Sequence, residues 1–213
     1  MKKILETLLR NDLFPNNRTI ETVHSLIMTV HARDEYTYQH SMNVGYYAWK
    51  IAKHLGLEDE RSSNIFVGGL LHDIGKIGTP DYILLKNSNL TPEEYFIMKQ
   101  HALIGYEIVR LVTPLRKRGI DQIVLYHHER MDGQGYPEGL YAKDIPLEAL
   151  IVSVADSYDA MTTARKYRPA LTHNQAVEQL LLGKGTQYDA AIVDVFLEAM
   201  SHMKLEPNYA VLK

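Results

Sequence analysis

The sequence predicts an all-α fold, a single bundle of about seven to nine helices. Apolar residues recur at helical spacing along most of the 213-residue chain, and no long stretch alternates apolar and polar residues as a half-buried strand would. Residues typical of helix starts and stops interrupt this pattern at short intervals. A chain of this length can bury one sizeable core, so we expect one domain.

Eight stretches carry the helical pattern: residues 20–33, 38–55, 60–74, 92–112, 119–129, 147–163, 172–183 and 188–203. The first follows the sequence FPNN at 14–17, which breaks the pattern and separates a leading segment, residues 1–19. The second ends before Gly56 and the third at Gly75, because glycine readily adopts the conformations that terminate a helix. These stops leave only short connections between the first helices.

The later helices have clear start signals. The sequence TPEE at 91–94 combines an N-cap threonine, a proline at the first helical position and a capping-box glutamate, and Pro114 lies just beyond the end of this helix. THNQ at 172–175 is a second capping-box pattern, and the stretch 147–163 is apolar enough to lie at the centre of the core. The longest predicted loop, residues 130–146, is a candidate functional segment because long loops in compact domains often carry function.

The composition excludes several classes of protein. The chain has no cysteine, which removes disulfides, thiolate metal sites and cysteine nucleophiles. A net charge of −3 argues against a DNA or RNA partner, because nucleic-acid surfaces carry an excess of Lys and Arg. The longest apolar stretches, such as IFVGGLL at 65–71, fall far short of the roughly 18 residues of a membrane span. No membrane contact is expected, and without a secretory signal pattern a cytoplasmic location is the default.

Six histidine and aspartate residues stand on apolar faces or at the ends of four different predicted helices: His72, Asp73, His101, His127, His128 and Asp156. Taken singly, each has an ordinary interpretation, such as a core histidine bonded to a carbonyl, a helix cap or a solvated helix end. A metal would satisfy all of them at once, whereas unpaired burial costs roughly 1–3 kcal/mol per polar group. Since a carboxylate can bridge two cations, the set is a candidate dinuclear centre.

Five separated motifs resemble the HD-GYP family, a branch of the HD superfamily of metal-dependent phosphohydrolases. They are RDEYTYQHS at 33–41, LLHDIGKIGTPDYIL at 70–84, MKQHALIGYEI at 98–108, HHERMDGQGYPEGL at 127–140 and VADSYDAMTTARKYRPA at 154–170. Their order and spacing make the resemblance specific over about residues 30–185. It implies a phosphodiesterase that hydrolyses the bacterial second messenger cyclic di-GMP to linear pGpG, with or without further cleavage to GMP.

The resemblance also implies a ligand set for two divalent metal ions, with iron or manganese the usual choice. One ion would be held by His40, His72, Asp73 and Asp156. The other would be held by Asp73, His101, His127 and His128, with Asp73 bridging. His40 enters only through the resemblance. Tyr36 occupies the position where some family members carry a glutamate ligand for a third metal, so we expect two ions.

The remaining expected roles concern the substrate. Two cations can lower the pKa of a bridging water, supplying a hydroxide for attack on phosphorus. Lys76 is expected to contact the scissile phosphate or assist the leaving oxygen, although a solvated helix end would also explain it. Arg165 and Arg168 match the family's substrate-binding cations and can clamp phosphates bidentately.

The loop at Gly135-Tyr136-Pro137 is expected to form a rigid lip that borders a guanine. Gly133 and Gly135 permit positive φ there, and Pro137 fixes the exit of the loop. The resemblance also implies a protein partner at this loop. The two acidic residues beside it, Glu129 and Asp132, are not expected to bind metal.

We therefore divide the chain into an N-terminal helical extension packed on the core, residues 1–29, the HD-GYP catalytic core, residues 30–185, and a C-terminal helix of the same domain, residues 186–213. Two other functions stay open. One is an HD-type phosphohydrolase that acts on another cyclic dinucleotide or on a nucleotide, since the ligand set would be shared. The other is a non-catalytic, nucleotide-sensing interaction module, for which lost ligands would be the sign.

Overall fold

The structure, a computed structural model, describes residues 17–33, 35–164 and 169–201, and these form an all-α fold, as predicted. Ten α-helices and two 3-10 helices lie within those ranges. The α-helices are α1 (Asn17–Arg33), α2 (Glu35–His54), α3 (Asp59–Leu71), α4 (Asp81–Leu84), α5 (Pro92–Arg110), α6 (Thr113–Lys117), α7 (Ile120–Tyr126), α8 (Leu147–Thr162), α9 (His173–Leu182) and α10 (Ala190–Ser201). The 3-10 helices span Ile74–Gly78 and Ala142–Asp144.

All eight predicted helices are present, and α4 and α6 bring the number in the described ranges to ten. These two have four and five residues, too few for an apolar period to show in the sequence. Pro114 lies beyond the end of α5, as predicted, and it also occupies the first turn of α6. Proline suits that position because the first helical N–H groups have no intrahelical acceptor.

Two predicted helices end three residues earlier than the sequence indicated, and both ends carry candidate ligands. The stretch 60–74 is helical only to Leu71, after which the backbone tightens into the 3-10 helix Ile74–Gly78. The stretch 119–129 is helical only to Tyr126. The His-Asp and His-His pairs therefore lie where the backbone leaves a helix.

Both predicted capping boxes are confirmed. In the first, Glu94 N–H donates to Thr91 Oγ1 at 3.3 Å, and Thr91 N–H donates to Glu94 Oε2 at 2.8 Å. Thr172 and Gln175 make the same reciprocal pair at the start of α9. Replacing such a cap typically costs about 1 kcal/mol, so these residues fix where α5 and α9 begin.

The buried apolar side chains form two clusters, and α2, α3 and α7 contribute to both. One cluster joins α2 to α8, α9 and α10 through residues such as Ile51, Val154 and Phe196. The other joins α1, α3, α5 and α7 through residues such as Ile27 and Phe66. The helices that supply candidate ligands, namely α2, α3, α5, α7 and α8, each contribute to at least one of these clusters.

Gly75 brings the 3-10 helix after α3 against the backbone of α5. A Cβ atom at this position would lie 1.9 Å from the His101 carbonyl oxygen and 2.4 Å from the Gly105 nitrogen. Only glycine permits this approach. The contact sets the distance between the end of α3 and the middle of α5, where the next ligand is found.

The two ends of the chain are described in part. Residues 17–29 of the predicted N-terminal extension belong to α1, which buries Val23 and Ile27. Residues 1–16 and 202–213 lie outside the described residues. Among the helices described, none has the length and apolar character needed to cross a membrane.

Candidate metal centre

Three of the candidate histidines are oriented by backbone carbonyl groups three residues before them. His72, His101 and His127 each donate Nδ1–H to the carbonyl oxygen three residues earlier, at 2.7, 2.8 and 2.7 Å respectively. This bond selects the tautomer whose Nε2 lone pair is free to bind a metal. All three side chains are almost completely buried. The backbone of the preceding helical turn therefore aims these three rings, at the end of α3, in the middle of α5 and at the end of α7.

The candidate ligands form two groups that meet at Asp73. The first group is His40, His72 and Asp73, the second is His101, His127 and His128, and within each group the ligand atoms lie within 4.8 Å of one another. Asp73 Oδ2 lies 3.3 Å from His72 Nε2 and 3.7 Å from His40 Nε2. Its other oxygen, Oδ1, lies 3.4 Å from His101 Nε2. One carboxylate thus presents one oxygen to each group, as a bridging ligand would.

Asp156 completes the first group from α8. Its Oδ1 lies 3.0 Å from His40 Nε2 and 3.9 Å from His72 Nε2. His72 Nε2 is buried and has no hydrogen-bond partner among the described residues. A buried nitrogen with a lone pair and no donor nearby is costly unless it binds something. The donor set, imidazole nitrogens and carboxylate oxygens without sulfur, fits a pair of divalent transition-metal ions.

Burial keeps part of the second group in the metal-binding form. It lowers the pKa of His127 well below its usual value and that of His128 to about 3. Burial also lowers the pKa of His101. Neutral imidazole is the form that binds metal, so these rings need release no proton to do so near neutral pH.

The two carboxylates of the centre are held ionised. Burial alone would raise the pKa of Asp73, but the charge of Lys76 holds it well below its usual range. Burial would likewise raise the pKa of Asp156, and the hydrogen bond with His40 holds it low. Ionised carboxylates supply the negative charge that a pair of cations requires.

Lys76 lies at the edge of the centre. Its Nζ is 2.5 Å from Asp73 Oδ2, and a quarter of its side chain is exposed. Arg33, which the sequence reasoning did not select, holds this segment in place from α1. Its guanidinium donates to the carbonyl oxygens of Lys76 and Ile77, at 2.7 and 2.5 Å, and also to that of Thr79. These guanidinium donors on three neighbouring carbonyls fix the backbone that carries Lys76.

The two acidic residues left off the predicted ligand list have other partners. Glu129 is buried, and its carboxylate accepts three backbone N–H groups, from Glu138 at 2.7 Å, Gly139 at 3.0 Å and Leu140 at 2.9 Å. Asp132 instead forms an ion pair with Arg130 at 2.6 Å. Glu129 therefore ties the far side of the long loop to the end of α7, a role that its position beside His128 did not reveal.

The loop places Tyr136 against the second ligand group. Its ring centroid is 4.6 Å from that of His128, and Lys99 Nζ lies 5.7 Å from the same tyrosine ring. Gly133 has the expected positive φ of 74°. Gly135 does not use the positive φ that glycine permits. Glycine is needed there for close approach, since a Cβ would lie 2.5 Å from Glu129 Cα.

We expect replacement of Glu129 by Gln to loosen this loop and destabilise the protein by about 2 kcal/mol. Three N–H groups now donate to the two carboxylate oxygens of Glu129, whereas Gln offers only one acceptor oxygen. Buried hydrogen bonds to charged groups are worth about 1.5–3 kcal/mol each. Urea unfolding measures the loss. Glu138→Gln is the matched control, because Glu138 is an exposed side chain of the same loop. Equal unfolding free energies for the two variants would contradict the prediction.

Some predicted site residues lie outside the described residues. These are Arg165 and Arg168, together with the side chain of Tyr36. Nothing in the geometry bears on their expected roles. The seven predicted metal ligands are described, and the structure brings them together.

Comparison with known proteins agrees with this geometry. Residues 24–192 match the HD domain family. A cyclic di-GMP phosphodiesterase from Thermotoga maritima is 42% identical over 179 residues, which cover 84% of this chain and 48% of that protein. A 3′3′-cGAMP-specific phosphodiesterase 2 from Vibrio cholerae is 34% identical over 178 residues, 84% of this chain and 34% of that protein.

The fold has solved counterparts as well. Bd1817, an HDG"Y"P protein from Bdellovibrio bacteriovorus, superposes with a TM-score of 0.63 at 22% identity, covering 76% of this chain and 51% of that one. The chain spans half or less of the length of the two curated relatives described above. The match to the HD domain extends over most of the chain, and the Thermotoga maritima relative is 42% identical. The chain belongs to the HD-GYP family of HD-domain proteins.

Proposed function

We propose that this chain is a metal-dependent phosphodiesterase that hydrolyses cyclic di-GMP to linear pGpG, with or without further cleavage to GMP. The observation that carries the proposal is the position of Asp73, whose two oxygens face two separate groups of histidines. A bridging carboxylate between two sets of nitrogen donors is the arrangement that a two-metal hydrolase requires. The similarity to the Thermotoga maritima cyclic di-GMP phosphodiesterase supports this substrate.

We assign the seven residues as ligands of two ions, iron or manganese. One ion would bind His40, His72, Asp73 and Asp156, and the other Asp73, His101, His127 and His128. When bound, two divalent cations lower the pKa of water and neutralise the charge that develops on the phosphoryl oxygens. No side-chain nucleophile is then needed.

Lys76 is the residue of this chain that we propose to act directly on the substrate. It is partly exposed, and its carbonyl is held by Arg33, so that the ammonium group stays at the edge of the centre. Near neutral pH an ammonium group can bind a phosphate oxygen and can donate a proton to the leaving oxygen. We propose the same phosphate-binding role, through bidentate contacts, for Arg165 and Arg168.

The loop at Gly135-Tyr136-Pro137 is proposed as the lip that borders a guanine of the substrate. The ring of Tyr136 is fixed against His128 and is flanked by Lys99, which gives a planar base an aromatic neighbour beside the metals. Gln134 and Pro137 are exposed on the outer side of the same loop. This outer side is where we propose contact with a protein partner.

The test is a substrate panel with metal-loaded protein. Protein loaded anaerobically with iron or manganese, under reducing conditions, is incubated with cyclic di-GMP, 3′,3′-cyclic GMP-AMP, cyclic di-AMP and mononucleotides, and the products are separated by chromatography. The expected result is loss of cyclic di-GMP with appearance of pGpG. Protein with two ions per chain that leaves cyclic di-GMP intact would contradict the proposal. Faster cleavage of another cyclic dinucleotide would keep the reaction class and overturn the substrate.

A further inference from the structure

Asp159 lies behind the metal centre and contacts one of its ligands. It is on α8, three residues after Asp156, and it is almost completely buried. Its Oδ2 lies 2.7 Å from His40 Nδ1 and accepts a weaker bond from Thr163 Oγ1 at 3.4 Å. His40 is thus held on both sides by carboxylates of the same helix, since its Nε2 lies 3.0 Å from Asp156 Oδ1.

A short chain of amides leads to the other oxygen of Asp159. Asn43 Nδ2 donates to Asp159 Oδ1 at 2.8 Å, and Gln39 Nε2 donates to Asn43 Oδ1 at 3.0 Å. Gln39 and Asn43 are on α2 with His40, so the chain joins α2 to α8. Both oxygens of Asp159 therefore act as acceptors, and the proton between Asp159 and His40 belongs to the ring nitrogen.

His40 differs in this respect from the three histidines that are oriented by carbonyl groups. In His72, His101 and His127, the Nδ1–H group donates to a backbone carbonyl oxygen three residues earlier. His40 faces a carboxylate from another helix instead. A hydrogen bond to an ionised acceptor is roughly twice as strong as a neutral one, and a carboxylate behind a histidine makes its other nitrogen a better metal ligand.

We propose that Asp159 is a positioning residue, which holds His40 with the proton on Nδ1 and with Nε2 aimed at the ion shared with His72, Asp73 and Asp156. Asn43 acts through Asp159 by occupying its second oxygen, so that the carboxylate cannot rotate away from the ring. The inference rests on the two-metal centre of the proposed function. It does not depend on the identity of the substrate.

The decisive variant is Asp159→Asn, which has the same shape but offers one acceptor in place of two. His40 Nδ1–H and Asn43 Nδ2 are both donors, so the new amide satisfies only one of them unless Asn43 and Gln39 both rotate. We expect the affinity for one of the two ions to fall by about 10–100-fold, the usual effect of losing such an outer partner. The ion held with His101, His127 and His128 should stay bound. Chelator competition with Mn²⁺ or Zn²⁺ measures both affinities.

A second substitution should reverse this loss. In the variant Asp159→Asn/Asn43→Asp, the new carboxylate accepts from the amide of residue 159 and from Gln39, so the amide oxygen of residue 159 again faces His40. We expect most of the lost affinity to return. Asn43→Asp alone is the matched control. It introduces the same carboxylate at position 43 as the double variant does, but in the single variant this carboxylate faces the carboxylate of Asp159 and the two repel each other. A gain in affinity from this control alone would show simple charge attraction and would overturn the proposal.

A spectroscopic measurement separates positioning from packing. In Zn²⁺-loaded protein with ¹⁵N-labelled histidine, the Nδ1–H proton of His40 should resonate far downfield, shift upfield in Asp159→Asn and return in the double variant. A merely structural role predicts a lower Tm with this resonance and both affinities unchanged, and that result would refute the proposal. The substrate panel on the unmodified protein is a separate measurement. Failure of hydrolysis there would overturn the proposed function without altering the outcome of the affinity series.

Discussion

Replacing Asp73 by Asn is expected to lower kcat for cyclic di-GMP by about 10³-fold or more and to reduce the metal content of the protein. Asn presents one oxygen and one NH₂ group, so it cannot face His72 and His101 with an acceptor on both sides, as Asp73 does. Lys76, which lies 2.5 Å from Asp73 Oδ2, also loses its charged partner. Metal-ion charge stabilisation is worth several kcal/mol, and each 1.4 kcal/mol is tenfold in rate.

Metal analysis and single-turnover kinetics together test this expectation. Asp189→Asn is the matched control, because Asp189 lies outside the centre and caps α10 through an oxygen that Asn retains. It should keep two ions per chain and the full rate. An Asp73→Asn protein that retains both ions and more than about a tenth of the rate would show that Asp73 does not bridge, since a tenfold loss corresponds to only about 1.4 kcal/mol.

Local sequence patterns were sufficient for much of this fold. A capping box is recognised from four consecutive residues, and both predicted boxes, Thr91–Glu94 and Thr172–Gln175, are present. The short helices α4 and α6 were missed because a single turn shows no apolar period. The early end of α3 at Leu71 was missed for another reason. The chain leaves the helix there to bring Gly75 against α5, a contact between distant segments that no local pattern encodes.

The candidate site likewise combines residues that local sequence predicts with residues that depend on distant contacts. His72, Asp73, His101, His127, His128 and Asp156 were selected because each is a polar residue on or beside an apolar helix face, and His40 was added by the family resemblance. Their roles as ligands stay predictions, although the geometry brings all seven together. Arg33, Glu129 and Asp159 were not selected, because their partners lie far along the chain or on the backbone. Burial of a charged residue next to a motif is the signal that could have identified Glu129 and Asp159.

Replacing Gly75 by Ala is expected to damage both the stability and the metal centre. The new Cβ would lie 1.9 Å from the His101 carbonyl oxygen and 2.4 Å from the Gly105 nitrogen, whereas ordinary contact begins at 3.4 Å. Both neighbours are backbone atoms of a long helix, so the 3-10 helix must move away from α5. Overpacking of this kind costs about 1–3 kcal/mol, and more where backbone must shift. Urea unfolding of the metal-free protein measures this loss without a contribution from bound ions.

The displacement acts on the metal centre because Asp73 and His101 lie on opposite sides of this contact, with Asp73 Oδ1 3.4 Å from His101 Nε2. Separating the two backbones should weaken the ion shared with His127 and His128 more than the ion shared with His40 and His72. Gly78→Ala is the matched control in the same 3-10 helix, since the nearest atoms to its Cβ would be side-chain atoms of Ile104, Cδ1 at 2.9 Å and Cγ2 at 3.3 Å, and no backbone atom would be as close. That variant should bind both ions normally. Normal binding by Gly75→Ala as well would mean that the close approach of the 3-10 helix to α5 does not set the geometry of the centre.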